Sequence, residues 1–562
     1  MGRLHDTLCL SAGPLSEAFT AAAPAAERAA AGLWRRDPAT WSADGTVQKK
    51  IANRLGWLSA PALMTASVDR LRAFADGVKR DGFTDVVLLG MGGSSLAPEV
   101  LRDVLGGAPG WPRFQMLDST DPAAVRAAET MPAQTLYLLS SKSGTTIEPN
   151  ALAAHFRRTL EDAGVPRWAD HFVAITDEGT ALMRRARADL FRDLFINPSD
   201  IGGRYSAISF FGLVPAALMG QDVAALANWA AAMLDESTTN SGPVTSNPAV
   251  ALGLAIAAAA RAGRDKLTLV LPAALESLGL WVEQLIAEST GKNGVGVVPV
   301  AGEPLAAPSA YGADRFFVHV RPRSSGADVL NMAGAPVVEI DFLEPAALGA
   351  EFMRWEIATA VAGALLQINP FDEPNVQQAK DATSTLLHQY KTSGRLPVGN
   401  PGQTLDSGVT LTLSASARAF LRGLGADALL TLLKPGDYFS LLAYLGPARD
   451  LADELRALRR DVRDRTRAAT MLGYGPRYLH STGQLHKGGP NTGVFVLISA
   501  MPKQDLTIPG QPFSFGTLEL AQALGDFSSL DAAGRRALHV HLPRPDRSLI
   551  RNVARMLLDR RA

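Results

Sequence analysis

Three times in the first 180 residues, a short apolar run of β-forming residues breaks at a turn and gives way to a helix-periodic stretch. TDVVLLG (84–90) runs through glycines into SSLAPEVLRDVL. TLYLLS (135–140) gives way to SKSGTTIEPNALAAHFRRTL, and HFVAITD (171–177) to EGTALMRRARADL. Runs that are apolar along their whole length are buried on both faces, and such strands alternating with helices make a parallel sheet covered on each side. The pattern returns with KLTLVLP (266–272), RFFVHVRP (315–322) and APVVEIDFL (335–343). It returns again with GVTLTLS (408–414), DYFSLLAYL (437–445), TGVFVLISA (492–500) and ALHVHLP (537–543).

The chain of 562 residues is too long for one core. The expected organisation is a helical extension over 1–60, α/β domains over 61–235 and 236–400, and a further α/β region over 401–562. Residues 1–60 carry no strand signal. The polar stretches STTNSGPVTSNP (237–248) and TSGRLPVGNPGQ (392–403) read as linkers. The architecture repeats, without a fixed-period sequence repeat. Lys+Arg and Asp+Glu both number 55, which argues against a basic nucleic-acid surface. The single cysteine, Cys9, forms no intrachain disulfide, which suits a reducing compartment. The longest apolar run, AVALGLAIAAAA (249–260), is too short to span a bilayer and reads as a buried helix. No secretory signal is visible, so the expectation is a cytoplasmic protein with no nucleic-acid or membrane partner.

Two strand-to-helix turns are built to hold an anion. LLGMGGSSLAP supplies Gly90, Gly92, Gly93, Ser94 and Ser95; LLSSKSGTTIEP supplies Ser141, Lys142, Ser143, Gly144, Thr145 and Thr146. Helix N-termini offer free N–H groups and a favourable dipole, and glycine lets the backbone come close. Neither turn is a Walker A loop, and the first is not a full dinucleotide fingerprint. Helix capping accounts for GGSS as readily as phosphate does. Four hydroxyls and a lysine in SKSGTT exceed what capping needs. Without an adenine or ribose signature, a small phosphorylated metabolite is the better ligand. In IGGRYSAISFFG (201–212), Gly202 and Gly203 precede Arg204, whose planar fork suits a delocalised oxyanion; a surface salt bridge is the commoner fate of an arginine. Glu288, in QLIAESTGKNG (284–294), stands where an apolar helix opens into a turn. A carboxylate at a helix C-terminus opposes the dipole, which hints at a functional reason. His539 and His541 alternate on a strand without an acidic or cysteine partner, and read as a surface pair rather than a metal site. Trp281 and Trp355 read as core, and ELRALRRDVRDRTR as a solvated helix face.

Together GMGGSSLAPE (90–99), SKSGTT (141–146), GGRYS (202–206), ESTGKNG (288–294), FDEPNVQQAK (371–380) and LHSTGQ (479–484) resemble the phosphoglucose isomerase family, aldose–ketose isomerases built from two sugar-isomerase domains. LHSTGQLHKGGPNTGVFV resembles the isomerase half of proteins that join transaldolase to this enzyme, and no transaldolase-like barrel is visible. The resemblance implies two doubly wound parallel-sheet domains of the sugar-isomerase type, with the helical extension and the additional C-terminal α/β segment. It implies that Ser94, Ser141, Ser143 and Thr146 hold a sugar phosphate, with Lys142 and Thr145 in the same loop. Gly93, Gly203 and Glu373 would line the sugar, Glu288 would be the base, Arg204 would face the enediolate, and His480 and Lys380 would assist ring opening. It implies no metal or other cofactor, and a homodimer in which the histidine is lent across the interface.

Two features depart from the family. Glu373 stands where a glutamine is usual, and the histidine motif follows the lysine motif instead of preceding it, which leaves His486 as an alternative to His480. Glucose 6-phosphate and fructose 6-phosphate are the implied pair. Mannose 6-phosphate, which gives the same enediolate, and a non-catalytic sugar-phosphate-binding regulator remain as alternatives.

Overall fold

A computed structural model describes residues 4–323, 334–397 and 401–559. Part of the second linker stretch, residues 398–400, lies outside them. The helix-and-strand alternation read from the sequence resolves into three sheets. In the first, Arg113–Leu117, Asp85–Leu89, Thr135–Ser140, Phe172–Asp177 and Asp193–Asn197 lie side by side in that order, all parallel. Asp85–Leu89 and Thr135–Ser140 are buried at every position, because helices cover both faces.

The other two sheets repeat this order. Val298–Val300, Lys266–Val270, Arg315–Pro322 and Val337–Phe342 form the parallel part of the second. Ala469–Tyr474, Tyr438–Tyr444, Gly493–Ala500 and Arg536–Leu542 form that of the third. In each, the first strand in sequence sits between the second and the third, so the direction of winding reverses between the first and the third. The crevice beyond that pair's carboxyl ends is where an open α/β sheet takes its ligand. In the first sheet the two turns at that crevice are the hydroxyl-rich loops after Leu89 and Ser140.

The N-terminal stretch differs from the reading of its sequence. It is mainly helical, with Ser16–Trp34 and Gly45–Ala52, but Leu8–Ser11 is a strand that pairs antiparallel with Val337–Phe342 at the edge of the second sheet. Four residues, half of them facing solvent, are too short a signal to read; the open edge of another sheet selects the extended form.

Helix Glu276–Thr290 contacts Leu96–Leu105 of the first unit, Leu348–Leu365 of the second and Gly483–Gly488 of the C-terminal unit. Partners on every side leave almost all of its residues buried. Trp281 and Trp355 are core, as read. The helix Arg449–Thr466 is less solvated than its sequence suggests: Arg459 is buried and donates to the backbone oxygens of Ala301 and Thr470. His539 is likewise buried and shares Ser499 Oγ with His541, at 2.8 and 2.9 Å, so these two are not a surface pair. No helix among the described residues is long and apolar enough to cross a membrane.

Candidate active site

Glu288 lies in the last turn of helix Glu276–Thr290 and is 8% exposed. Its Oε1 is 3.2 Å from Arg204 Nη1, and its Oε2 accepts from Gln284 Nε2 at 3.1 Å. Burial pushes the carboxyl above its ordinary range; Arg204 opposes this and the negative charge of Glu373 reinforces it. The two raising effects prevail, leaving a carboxylate more basic than one in water. Arg204 is itself buried and fixed in place. Nε donates to Ser289 Oγ at 2.7 Å, Nη2 to the backbone oxygens of Pro370 and Asp372 at 2.8 and 2.9 Å, and Nη1 to Glu373 Oε2 at 3.1 Å. The surface salt bridge weighed as its commoner fate is therefore excluded.

The glycines of the two adjoining loops allow an approach that no side chain would. A Cβ on Gly93 would stand 1.9 Å from the backbone oxygen of Gly203, and one on Gly92, at φ +56°, 2.7 Å from that of His480. Three remote segments thus meet backbone to backbone. In the second hydroxyl-rich turn, the backbone N–H of Gly144 donates to Ser141 Oγ at 3.1 Å, and Ser143 Oγ and Thr145 Oγ1 lie 3.1 Å apart. The Lys142 ammonium is committed elsewhere, to the Asp177 carboxylate and, at 3.0 Å, to the backbone oxygen of Ser199.

His480 ends a short 3₁₀ turn, Arg477–His480, of the C-terminal unit. Its Nε2 lies 3.0 Å from Glu148 Oε1, and the same oxygen accepts from Gln522 Nε2 at 2.8 Å. Burial would lift the Glu148 carboxyl, but the charge and hydrogen bond of His480 bring it below the ordinary value. The histidine therefore reaches this site from its own chain, whereas the resemblance implied one lent by a partner. The reason is the third α/β unit, which packs its Arg477–His480 turn against the first. His486 is buried beside Tyr438, its Nδ1 3.2 Å from the phenol oxygen, and burial drives its pKa far down.

A cavity of about 550 Å³ collects these groups. Gly93, Ser94, Ser141, Lys142, Ser143, Thr146, Gly203, Arg204, Glu288, Glu373, Lys380 and His480 all line it. Thr145 faces an adjoining cavity that shares Ser143, Thr146, Lys380 and His480. His486 lines neither. Residues the sequence reading passed over include Glu148, Gln284 and Lys292. Glu148 was within reach, being two residues past SKSGTT and in the first turn of a helix. Lys292, in ESTGKNG itself, is buried and donates to the backbone oxygen of Asn369 and to Asp372 Oδ1, both at 2.8 Å. It anchors the loop that also holds Arg204. Gln284 bridges Glu288 and the backbone oxygen of His480, a link between distant segments that no spacing reveals. Among the described residues no group of three or more His, Cys, Asp or Glu is placed to hold a metal ion.

A family model for phosphoglucose isomerase matches residues 62–310, which contain both hydroxyl-rich loops, Arg204 and Glu288. A glucose-6-phosphate isomerase from Geobacter sp. (strain M21) is 31% identical over 395 residues, which cover 59% of this chain and 74% of that protein. A probable glucose-6-phosphate isomerase from Haloarcula marismortui is 32% identical over 348 residues, covering 54% and 78%. Among solved structures, a hypothetical protein from Thermus thermophilus superposes with a TM-score of 0.55 at 25% identity, over 67% of this chain and 99% of that one.

Proposed function

This chain belongs to the phosphoglucose isomerase family, and on that premise we propose that it interconverts glucose 6-phosphate and fructose 6-phosphate through a cis-enediolate. It is an aldose–ketose isomerase. The observation that carries the assignment of roles is the buried, raised carboxyl of Glu288 beside a fixed arginine, in one cavity with two hydroxyl-rich turns.

Exchange between aldose and ketose moves one proton between carbons 1 and 2. A single base that reaches both carbons suffices, and Glu288 is that base. Positioned proton transfer contributes roughly 10²–10⁴-fold. The enediolate that forms carries negative charge on its oxygens, and the Arg204 guanidinium faces it. Because backbone oxygens and Ser289 already hold that guanidinium, it needs little reorganisation when the charge develops. Ser94, Ser141, Ser143 and Thr146 grip the phosphate, with backbone N–H groups of the same turns. Lys142 contributes through its position in that turn, since its ammonium is committed to Asp177.

Ring opening requires a proton to leave one sugar oxygen and another to reach its neighbour. His480, paired with Glu148, and Lys380 carry this step; Glu148 holds the imidazole in one orientation. The test is a coupled assay in both directions. Wild type turns over both sugar phosphates, while Glu288→Gln binds fructose 6-phosphate by calorimetry and does not isomerise it. Binding without turnover by the wild type would make the chain a sugar-phosphate-binding regulator instead.

A further inference from the structure

The phosphate end of the cavity lacks the positive charge its ligand calls for. Lys142, the lysine of the hydroxyl-rich turn, is neutralised by Asp177. Arg204 lies between two carboxylates, Glu288 and Glu373. Lys380 stands beside Glu148 and His480, at the ring-opening side, where its charge acts on Glu148. Four cations and four carboxylates line the cavity, so its formal charge is zero before a phosphate dianion arrives.

The fourth cation is Arg54, from the N-terminal stretch. The segment that carries it is docked on the wall of the cavity. Leu55 forms a β-bridge with Ile201, and the Gly56 N–H donates to the backbone oxygen of Asp200 at 3.1 Å. The fit is close: a Cβ on Gly56 would stand 2.2 Å from Asp200 Oδ1, and one on Gly202 4.0 Å from Arg54 Cδ. Arg54 is thus laid against Gly202 of the Ser199–Gly203 loop, and its charge acts on Asp177. Among the described residues its guanidinium makes one hydrogen bond, to the backbone oxygen of Asn53 at 2.8 Å, and no ion pair. Its remaining donors are free at the edge of the cavity.

We propose that Arg54 is a phosphate-binding residue of this site, supplying the counter-charge that Lys142 cannot. This rests on the reading of the Ser141–Thr146 turn as the phosphate end. Its charge acts on Asp177, the carboxylate that holds Lys142 at the phosphate end, so its proposed role is in binding and not in proton transfer. A charge-assisted hydrogen bond of this kind changes affinity roughly tenfold or more.

The experiment is Arg54→Gln, with Arg54→Lys as its conservative partner and thermal melting as a check on folding. For Arg54→Gln, KM for fructose 6-phosphate rises at least about tenfold while kcat stays within about twofold of wild type. Calorimetric affinity for inorganic phosphate falls by a similar factor, and Arg54→Lys recovers part of both. A folded Arg54→Gln protein with unchanged KM and unchanged phosphate affinity overturns the proposal. So does a loss confined to kcat, which would put Arg54 at the reacting end. Phosphate calorimetry needs no turnover, so a wild type that proves inactive would refute the isomerase reading and leave the test of Arg54 intact.

Discussion

The base role proposed for Glu288 requires the ionised carboxylate, and burial and Glu373 both favour its protonated form. Its raised pKa means that kcat/KM falls on the acid side at a higher pH than an ordinary carboxylate, with its usual 4.5, would give. Glu373→Gln removes the repelling charge and leaves Arg204 more available to Glu288. Both effects lower the Glu288 pKa, so the acid limb should move to lower pH in a pH–rate profile. Wild type and variant see the same substrate, so the displacement belongs to the protein; an unmoved limb would mean Glu288 is not the titrating base. His480→Ala should slow turnover of the cyclic sugar phosphate far more than that of an open-chain analogue, and equal losses would reduce the histidine to a structural part. Five residues before Glu288 in the same helix, Glu283 is buried and raised to about 7, with its Oε1 accepting from the Ala301 N–H. Between the ordinary value of 4.5 and about 7, the unfolded chain has released this proton and the folded chain has not. Stability therefore falls as pH rises through that window, by about 3 kcal/mol in total. Glu283→Gln keeps the acceptor without the charge, so its melting temperature should gain on wild type from pH 5 to pH 7; parallel curves would contradict the shift.

At the level of elements, what builds the site is the repeated passage from a buried strand through a tight turn to a helix. TDVVLLG and TLYLLS announce these strands because helices on both faces demand apolar side chains at every position. The turns announce themselves by glycines and hydroxyls. The shared strand order of the three sheets cannot be read from periodicity, which records burial along a strand and not the identity of its neighbours. Nor can the close contacts of the turns. Gly93→Ala would drive a methyl group into the backbone of Gly203, which cannot swing aside as a side chain can. The Gly203–Tyr205 turn must move and take Arg204 with it. The expected result is a drop in melting temperature and at least a tenfold loss of kcat/KM. A variant with wild-type activity would show that the GGRYS loop does not depend on that contact.

Over the whole molecule, the C-terminal unit completes the site. It contributes His480 and Gln522, and Arg477 binds it to the first unit through Glu99 and Asp118. Since Glu288 and His480 line one cavity of one chain, mixing inactive Glu288→Gln with inactive His480→Ala should restore no activity at any protein concentration. A site shared between subunits would recover turnover in mixed dimers, and such recovery would overturn the single-chain arrangement. The sequence by itself determined the α/β class and the two hydroxyl-rich turns, because burial periodicity and turn chemistry are local properties of the chain; Glu288 and Arg204 stood out through motifs that resemble those of a known family. The tertiary structure alone decided which charges cancel: Lys142 is spent on Asp177, Glu148 is given to His480, and Arg54 is left open. These are pairings between residues tens to hundreds of positions apart, fixed by which strand and helix ends the packing brings within a few ångströms, and local sequence carries no record of that distance.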